Sequence, residues 1–291
     1  MGNMAKYTAA EIGGLLRHNS REVESGNYKN TDIDPERTKY NYSILDREIP
    51  YGMPVWKESL NYYRERKENL YSYARDDLKV LAEWIFPLPK EIWNMSEAIN
   101  RGEYYPSGLQ EVQMKEFFQA VHDFTAERYG IENVIQTSVH FDEGREAQTV
   151  DRWGNPQFDN NGNPVMEFRY GQPHISIDFI PVMKRGDVYV KSYDIKTGDI
   201  KRTATTKIKD GYEEKICANE RLNRYELHTF HTDLQGYLID HGIKGNILNG
   251  STRDGNWTVE QLKSGMKAEY ERLKELERQQ LIQNDASGRW L

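Results

Sequence analysis

Two segments with the pattern of β-strands each carry a histidine, and they limit the folds open to this chain. In Val139–Glu143 and Pro173–Phe179, β-branched and aromatic residues alternate with polar ones, which predicts strands. Residues two apart on a strand share a face, so polar side chains should line up beside each histidine. These neighbours are Asp142 beside His140, and Ser176 and Asp178 beside His174.

If the two strands pair, His140 and His174 can reach one divalent ion. Imidazoles backed by carboxylates suit Mn, Zn, Fe or Ni better than Ca or Mg. A single histidine is more often a structural side chain, so a metal site and a structural pair are both open at this point.

The rest of the chain mixes helix patterns with strand patterns. Periodicity predicts helices over residues 10–23, 55–69, 112–129 and 223–241, and strands over 38–45, 79–86 and 134–141. Residues 1–10 indicate one short strand or none, and two short strands surround a turn at residues 196–199. Together these elements predict an α+β fold with a mainly antiparallel central sheet flanked by helices. The apolar residues expected on the buried side of the helix at 112–129 are Val112, Phe117, Phe118, Val121 and Phe124.

Two further segments define the expected domain organisation. Residues 144–172, between the histidine strands, contain the turn signals Asp151–Pro156 and Asp159–Pro164, which predict an inserted β-hairpin. Near the C-terminus, the capping-box sequence at Thr258 opens a long charged helix that suits a coiled-coil seam or a docking helix. We therefore expect one domain over residues 1–250 and a C-terminal charged helix over 256–291.

Composition restricts the compartment and the partners. No apolar run of about 18 residues is present, so no membrane span is expected, and the single Cys217 excludes an internal disulfide and favours a cytoplasmic protein. The net charge of −7 argues against bulk nucleic-acid binding. Between Lys184 and Lys209, however, eight basic residues face three acidic ones, so this stretch is either a local nucleic-acid contact or a solvated hairpin surface.

Candidate nucleophiles lie in the first part of the chain. His18 and Arg21 are three residues apart in the first predicted helix and therefore neighbours on one face. A cation beside an imidazole keeps that imidazole neutral and nucleophilic, although a plain surface helix explains the same pair. Tyr40 and Tyr42 share a face of the next predicted strand, where a tyrosine hydroxyl could also attack DNA or simply pack across strands.

Taken in order, these motifs resemble the N-terminal relaxase domain of the MobV family, the plasmid mobilisation and recombination (Mob/Pre) proteins. The resemblance runs from about Ile12 to Lys263. Its motifs are Gly13–Arg21, which contains H-x-x-R; Asn30–Tyr42; His140–Glu143 with Pro173–Pro181; and the flanking Asp240–Gly242 and Thr258–Glu260.

This resemblance implies an HUH-like fold and a metal-dependent enzyme that nicks one DNA strand at an origin of transfer. It implies that His18 attacks the phosphodiester with Arg21 beside it, and that Glu143 orients His18 and accepts its proton. His140 and His174 would hold a divalent ion, with Mn expected and Mg as the alternative. The residues expected to contact DNA are Arg17, Asn41, Tyr42 and Arg75. The implied partners are single-stranded or supercoiled origin DNA, the conjugation machinery, and a second copy bound through the C-terminal helix.

Two departures from the family pattern keep an alternative open. Ser176 stands where the family has a third metal histidine, so Ser176, Asp178 or water would complete the site, and residues 144–172 separate motif halves that nearly abut in the family. The alternative is a catalytically weakened relative that acts as a DNA-binding accessory protein. An unrelated metallohydrolase using His140, Glu143 and His174 leaves the pattern around His18 unexplained.

Overall fold

A five-stranded sheet forms the centre of the fold in the computed structural model, which describes residues 2–22, 32–151 and 155–248. Its neighbouring strands are all antiparallel and follow the order β1-β3-β7-β4-β2. The strands are β1 (Asn3–Thr8), β2 (Tyr42–Ser43), β3 (Lys79–Pro87), β4 (Val134–His140) and β7 (His174–Phe179).

Alternation along the three inner strands gives the sheet one apolar and one polar face. On β3 and β7 the apolar face carries Trp84 and Phe86 opposite Ile177 and Ile175. The other face carries the buried polar residues Glu83, Gln136, Ser138, His140, Ser176 and Asp178. The polar row predicted beside His174, Ser176 and Asp178, is therefore confirmed, whereas Asp142, predicted beside His140, lies beyond the end of β4.

Helices α4 (Leu109–Tyr129) and α6 (Arg224–Asp240) cover the apolar face. The Trp84 ring stacks on Phe230 of α6, with centroids 4.2 Å apart. Stacked aromatic rings at this spacing contribute about 0.5–1.5 kcal/mol beyond the burial of their area. The fold also contains two short helices, α3 (Met95–Asn100) and α5 (Ala218–Arg221).

Helices α1 (Ile12–Ser20) and α2 (Val55–Glu68) pack on the polar face. Ile12 and Leu16 of α1 are buried in a second apolar cluster that includes Leu81 and Ile135 of the sheet. This cluster lies beneath the first part of α1, so the end of the helix, which carries His18, is left over the polar residues.

Three antiparallel pairs extend from the central sheet. β5 (Gly144–Gln148) pairs with β6 (Met166–Tyr170) within the segment 144–172. β8 (Val182–Lys184) pairs with β11 (Glu214–Ile216), and β9 (Val188–Tyr193) pairs with β10 (Ile200–Thr205) around the turn expected at residues 196–199. The basic stretch between Lys184 and Lys209 is mostly exposed.

Most sequence predictions of secondary structure and burial are confirmed, and three are wrong in part. The strand predicted over Val139–Glu143 ends at His140. The strand predicted over 38–45 is a 3-10 turn, Thr38–Tyr40, followed by only Tyr42–Ser43 in extended pairing, because the backbone N–H groups of Tyr40 and Asn41 are bonded within the turn. Val112 is 50% exposed, and Met114 takes its expected place in the core. Of the two possibilities for residues 1–10, the structure has the strand β1.

The predicted C-terminal helix at 256–291 lies outside the described residues, and the domain boundaries remain predictions. Within the described parts of the chain, no helix is both long enough and apolar enough to cross a membrane.

Candidate active site

The two predicted metal histidines lie directly opposite each other on the central sheet. His140 ends β4 and His174 begins β7, and the two are register partners. Their side chains share a face because residues directly opposite in an antiparallel pair point the same way. His140 Nδ1 lies 3.2 Å from His174 Nε2. The sheet register therefore brings two imidazole nitrogens to one point.

The hydrogen bond that His140 makes through Nε2 leaves its Nδ1 available as a metal ligand. Nε2 lies 2.8 Å from the main-chain carbonyl oxygen of Asn19, which can only accept, so Nε2 carries the proton and Nδ1 has a free lone pair. Burial, reinforced by the neighbouring Arg21 and His174, lowers the pKa of His140 well below its usual range. A histidine must be neutral to bind a metal, and His140 meets this condition.

Glu143 reaches this point with one carboxylate oxygen and contacts His18 with the other. Oε2 lies 3.6 Å from His174 Nε2, and Oε1 lies 3.6 Å from His18 Nε2. Burial alone would raise the pKa of Glu143, but the nearby side chain of His18, followed by His174, His140 and Arg21, outweighs burial and lowers that pKa well below its usual range. The group is therefore a carboxylate under ordinary conditions.

His140, Glu143 and His174 can jointly hold a metal ion. One ligand atom from each lies within 4.8 Å of the others. Two imidazole nitrogens and a carboxylate oxygen suit Mn, Fe or Zn, and three protein ligands leave positions for a phosphate oxygen or water. The donor set therefore fits the divalent ion expected from the sequence.

Glu143, rather than Ser176 or Asp178, completes the group. Ser176 is 2% exposed and pairs with Ser138 in the middle of the sheet. The carboxylate of Asp178 accepts a hydrogen bond from the side chain of Asn19 at 2.9 Å. Among the described residues, the metal-binding group does not include Asp178.

His18 lies on the last turn of α1, on the solvent-exposed side of the site. Its side chain is 39% exposed, while Glu143 behind it is 32% exposed. This exposure lets a large substrate reach the imidazole from the solvent side, while the Glu143 carboxylate contacts the imidazole from the protein side. The structure thus brings together His18, Glu143, His140 and His174.

Arg21 lies deeper than the sequence suggested. Its guanidinium is 2% exposed and pairs with Asp142 at 3.2 Å and with Glu143 at 2.5 Å. Arg21 also ends α1 in the left-handed conformation (φ 57°), with its N–H bonded to the His18 carbonyl. Its position is that of an internal anchor for the end of α1.

Two buried residues support this arrangement: Asp142, which the sequence placed beside His140, and Asn19, which the sequence did not single out. Asp142 is fully buried and also accepts hydrogen bonds from Thr38 at 2.9 Å and Asn41 at 2.7 Å. Asn19, next to His18, is 3% exposed and bonds to the sheet. The only available signal for Asn19 was an asparagine in the interior of a helix, where it is a weak helix former.

The residues expected to contact DNA are dispersed. Arg17 is exposed and lies over the Trp56 ring, 4.3 Å from its centroid. Asn41 is part-buried against Asp142. Arg75 is exposed and comes shortly before the start of β3. His174 pairs with Pro87 at the other end of this nine-residue strand, and at ~3.3 Å per residue the two ends are about 26 Å apart. Their DNA contacts remain predictions.

Tyr42 faces away from the metal group. It pairs with Val139, so its side chain shares the apolar face, opposite to that of the adjacent His140. Its hydroxyl is buried and has no hydrogen-bond partner among the described residues. Burial raises the pKa of Tyr42 above its usual range. These properties make Tyr42 a poor nucleophile.

Comparison with known proteins agrees with the fold. The chain is 22% identical to the MobM relaxase domain in a Mn-bound crystal structure with plasmid pMV158 oriT DNA, with a TM-score of 0.54 over 91% of this chain and 98% of that one. A second MobM complex with oriT DNA, of 23 nucleotides, has a TM-score of 0.51 at 21% identity and covers 92% of this chain and 97% of that one. These similarities confirm the predicted relaxase fold.

Curated relatives are similar over about half of the chain. A plasmid recombination enzyme of Streptococcus agalactiae is 30% identical over 143 residues, which is 49% of this chain and 25% of that protein. One of Bacillus thuringiensis is 26% identical over 142 residues, covering 48% of this chain and 27% of the relative. The matched region thus spans about a quarter of these relatives' length. The model of the plasmid recombination enzyme family, Mob_Pre, matches residues 1–246, and the chain therefore belongs to that family.

Proposed function

We propose that this chain is a relaxase that nicks one strand of DNA at the origin of transfer of a plasmid or mobile element. His18 attacks the scissile phosphodiester and becomes joined to the 5′-phosphoryl end, which prepares the strand for conjugative mobilisation. The observation that carries the proposal is the bridging position of Glu143, between His18 on one side and His174 on the other.

In the proposed reaction one bond forms, one bond breaks, and each proton has a defined place. The lone pair of one ring nitrogen of His18 forms the N–P bond as the P–O3′ bond breaks, and the 3′ oxygen leaves with the bonding electrons and takes a proton from water. The other nitrogen keeps its proton, and Nε2, facing Glu143, is the nitrogen placed to do so. The product is a phosphoramidate, which stores the energy needed for rejoining.

Glu143 stabilises charge more readily than it accepts a proton. The same neighbours that lower its pKa make it a weak base. A carboxylate that remains ionised can orient the imidazole and offset the positive charge that develops on it, as in Ser-His-Asp triads. We therefore assign Glu143 an orienting and electrostatic role, and do not carry forward the expectation that it accepts the proton of His18.

The metal assignment rests on the donor set. When bound, a divalent ion, Mn by analogy with the MobM structures, would neutralise charge on the non-bridging phosphate oxygens. His140, Glu143 and His174 would hold it, and Arg21 forms ion pairs with the carboxylates of Asp142 and Glu143 from inside the protein. Binding to conjugation machinery and dimerisation through the C-terminal helix belong to the same proposal.

A second candidate function is a DNA-binding accessory protein without nicking activity. Ser176 favours it, since a serine stands where the family pattern has a histidine. Against it, Glu143 lies where it can supply a third ligand in place of the missing histidine.

One experiment separates the two functions. Wild-type protein should convert a supercoiled plasmid carrying its own origin to the open circular form with Mn²⁺ and not with excess EDTA, as read on agarose gels. His140→Ala and His174→Ala should still bind origin DNA but lose nicking, and their Mn²⁺ affinity by calorimetry should fall by at least about 100-fold because a ligand is lost. His241→Ala, an exposed histidine on the other side of the sheet, should match wild type. Metal-independent nicking contradicts the metal assignment, and origin binding without nicking by the wild type supports the accessory protein.

The basic β9–β10 hairpin is the proposed contact to the DNA backbone. Each lysine or arginine that neutralises a phosphate steepens the salt dependence of binding by about 0.7–0.9 in a plot of log K against log salt concentration. Replacing the exposed Lys191 and Arg202 with Ala should therefore flatten the slope by roughly 1.4–1.8, measured by fluorescence anisotropy. Lys115→Ala, which removes an exposed lysine paired with Glu111 on α4, should leave the slope unchanged. An unchanged slope in the double variant would show that the hairpin is only a solvated surface.

A further inference from the structure

A buried polar cluster lies beneath the end of α1, next to the metal-binding group. Glu83 and Asp178 are direct register partners on β3 and β7, with exposures of 3% and 0%. Asn19 of α1 is 3% exposed and lies against both. Tyr7 of β1 donates its hydroxyl hydrogen to Glu83 at 2.6 Å.

One amide group donates a hydrogen bond to each of the two acidic side chains. Asn19 Nδ2 donates to Glu83 Oε1 at 2.9 Å and to Asp178 Oδ2 at 2.9 Å. An asparagine amide has two N–H groups, which is the number this arrangement uses, whereas serine offers one donor and aspartate or leucine offers none. Burial, followed by the adjacent Glu83, raises the pKa of Asp178 well above its usual range.

The same residue contacts the metal-binding group through its main chain. The carbonyl oxygen of Asn19 accepts the Nε2 hydrogen of His140 at 2.8 Å, and His18 is its neighbour in the chain. The side chain of Asn19 therefore fixes the position of a carbonyl that selects the His140 tautomer with a free Nδ1. Partners of this kind orient metal ligands in other proteins, and their loss weakens metal binding about 10–100-fold.

We propose that Asn19 is a positioning residue of the metal site: by bridging Glu83 and Asp178 it holds the end of α1 where its carbonyl sets the tautomer and orientation of His140. The inference rests on the proposed metal site and adds to it a residue outside the ligand set. The role is one of position, since Asn19 is outside the metal-binding group and acts on it through the carbonyl that His140 contacts.

The matched control is a second buried amide that ties α1 to the same sheet. Gln136 Nε2 donates to the Leu16 carbonyl at 3.1 Å, one turn before Asn19. Gln136→Met removes a helix–sheet hydrogen bond without changing the carbonyl that faces His140. A purely structural role for Asn19 predicts equal behaviour of the two variants.

The test compares Asn19→Ala with Gln136→Met by two measurements that involve no DNA. In metal-free protein with ¹⁵N-labelled histidines, NMR should show His140 as the Nε2–H tautomer in wild type and Gln136→Met, and as a mixture in Asn19→Ala. Calorimetry should show Mn²⁺ affinity reduced at least about tenfold in Asn19→Ala and within about twofold of wild type in Gln136→Met.

Each outcome has a definite meaning. An unchanged His140 tautomer and Mn²⁺ affinity in Asn19→Ala, or equal losses in both variants, would overturn the inference. If Asn19→Ala does not fold, Asn19→Ser, which keeps one donor, should give an intermediate tautomer ratio, and a ratio equal to wild type overturns the inference. If wild type binds no Mn²⁺, the proposed metal site fails, while the tautomer comparison still decides the role of Asn19.

Discussion

His18→Ala should abolish the covalent DNA adduct, reducing its rate of formation by at least about 10³-fold, whereas Tyr42→Phe should leave adduct formation close to wild type. The reason is geometric. His18 is half-exposed and faces Glu143 at 3.6 Å, while the Tyr42 hydroxyl is buried on the opposite face of the sheet. The measurement is a denaturing gel of protein incubated with labelled origin DNA and Mn²⁺.

The chemistry of the linkage gives an independent control for this prediction. A phosphoramidate hydrolyses in mild acid, whereas a tyrosyl phosphodiester survives, so the wild-type adduct should be lost at low pH. His18→Ala should also retain Mn²⁺ binding, because His18 is not among the proposed ligands. An adduct that persists in His18→Ala and disappears in Tyr42→Phe would transfer the nucleophile to Tyr42.

Arg21→Met should reduce the free energy of unfolding by about 3–5 kcal/mol. The guanidinium and its partner Asp142 are 2% and 0% exposed, so removing the cation leaves a carboxylate buried without its ionic partner. Unfolding by urea, followed by circular dichroism in EDTA, measures the change. Nicking should fall with it, because Arg21 also holds Glu143 and the His18 carbonyl.

An exposed pair of the same composition provides the control for Arg21. Arg75 and Asp77 form an ion pair whose side chains are 66% and 71% exposed. Solvent screens such pairs, so Arg75→Met should have no measurable effect on stability. Arg21→Met/Asp142→Asn should recover part of the lost stability, since the buried charge is removed as well. Equal stability of Arg21→Met and Arg75→Met would show that the buried pair does not anchor α1.

The sheet and the histidine pair could be predicted because both depend on local alternation. A period of two places His174, Ser176 and Asp178 on one face whatever the rest of the fold does, and the structure has that row. These features need no knowledge of distant contacts.

Features set by tertiary contacts could not be predicted in the same way. The face on which Tyr42 lies depends on a two-residue pairing with β4 that begins only after the 3-10 turn. The burial of Arg21 depends on Asp142, more than a hundred residues away in the chain. The contribution of Asn19 needs three partners from separate strands, and its own position in the sequence offers little sign of them.

The insertion at 144–172 shows the same limit. Its turn signals indicated a hairpin, and β5 and β6 are paired. The sequence did not show how closely it is attached to the site: the Gly171 N–H bonds to the carbonyl of Glu143 at 2.8 Å. A Cβ at Gly144 would lie 2.6 Å from the Arg169 carbonyl oxygen, so this strand pair requires a glycine immediately after Glu143.

The central claim is that His140, Glu143 and His174 hold one divalent ion beside His18. The most direct test is anomalous diffraction at the Mn edge from crystals grown with MnCl₂ and origin DNA. A single strong peak should lie within coordination distance of those three side chains, with the scissile phosphate between the ion and the His18 ring. A peak centred on Asp178 and Glu83, or no peak between the two histidines, would contradict it.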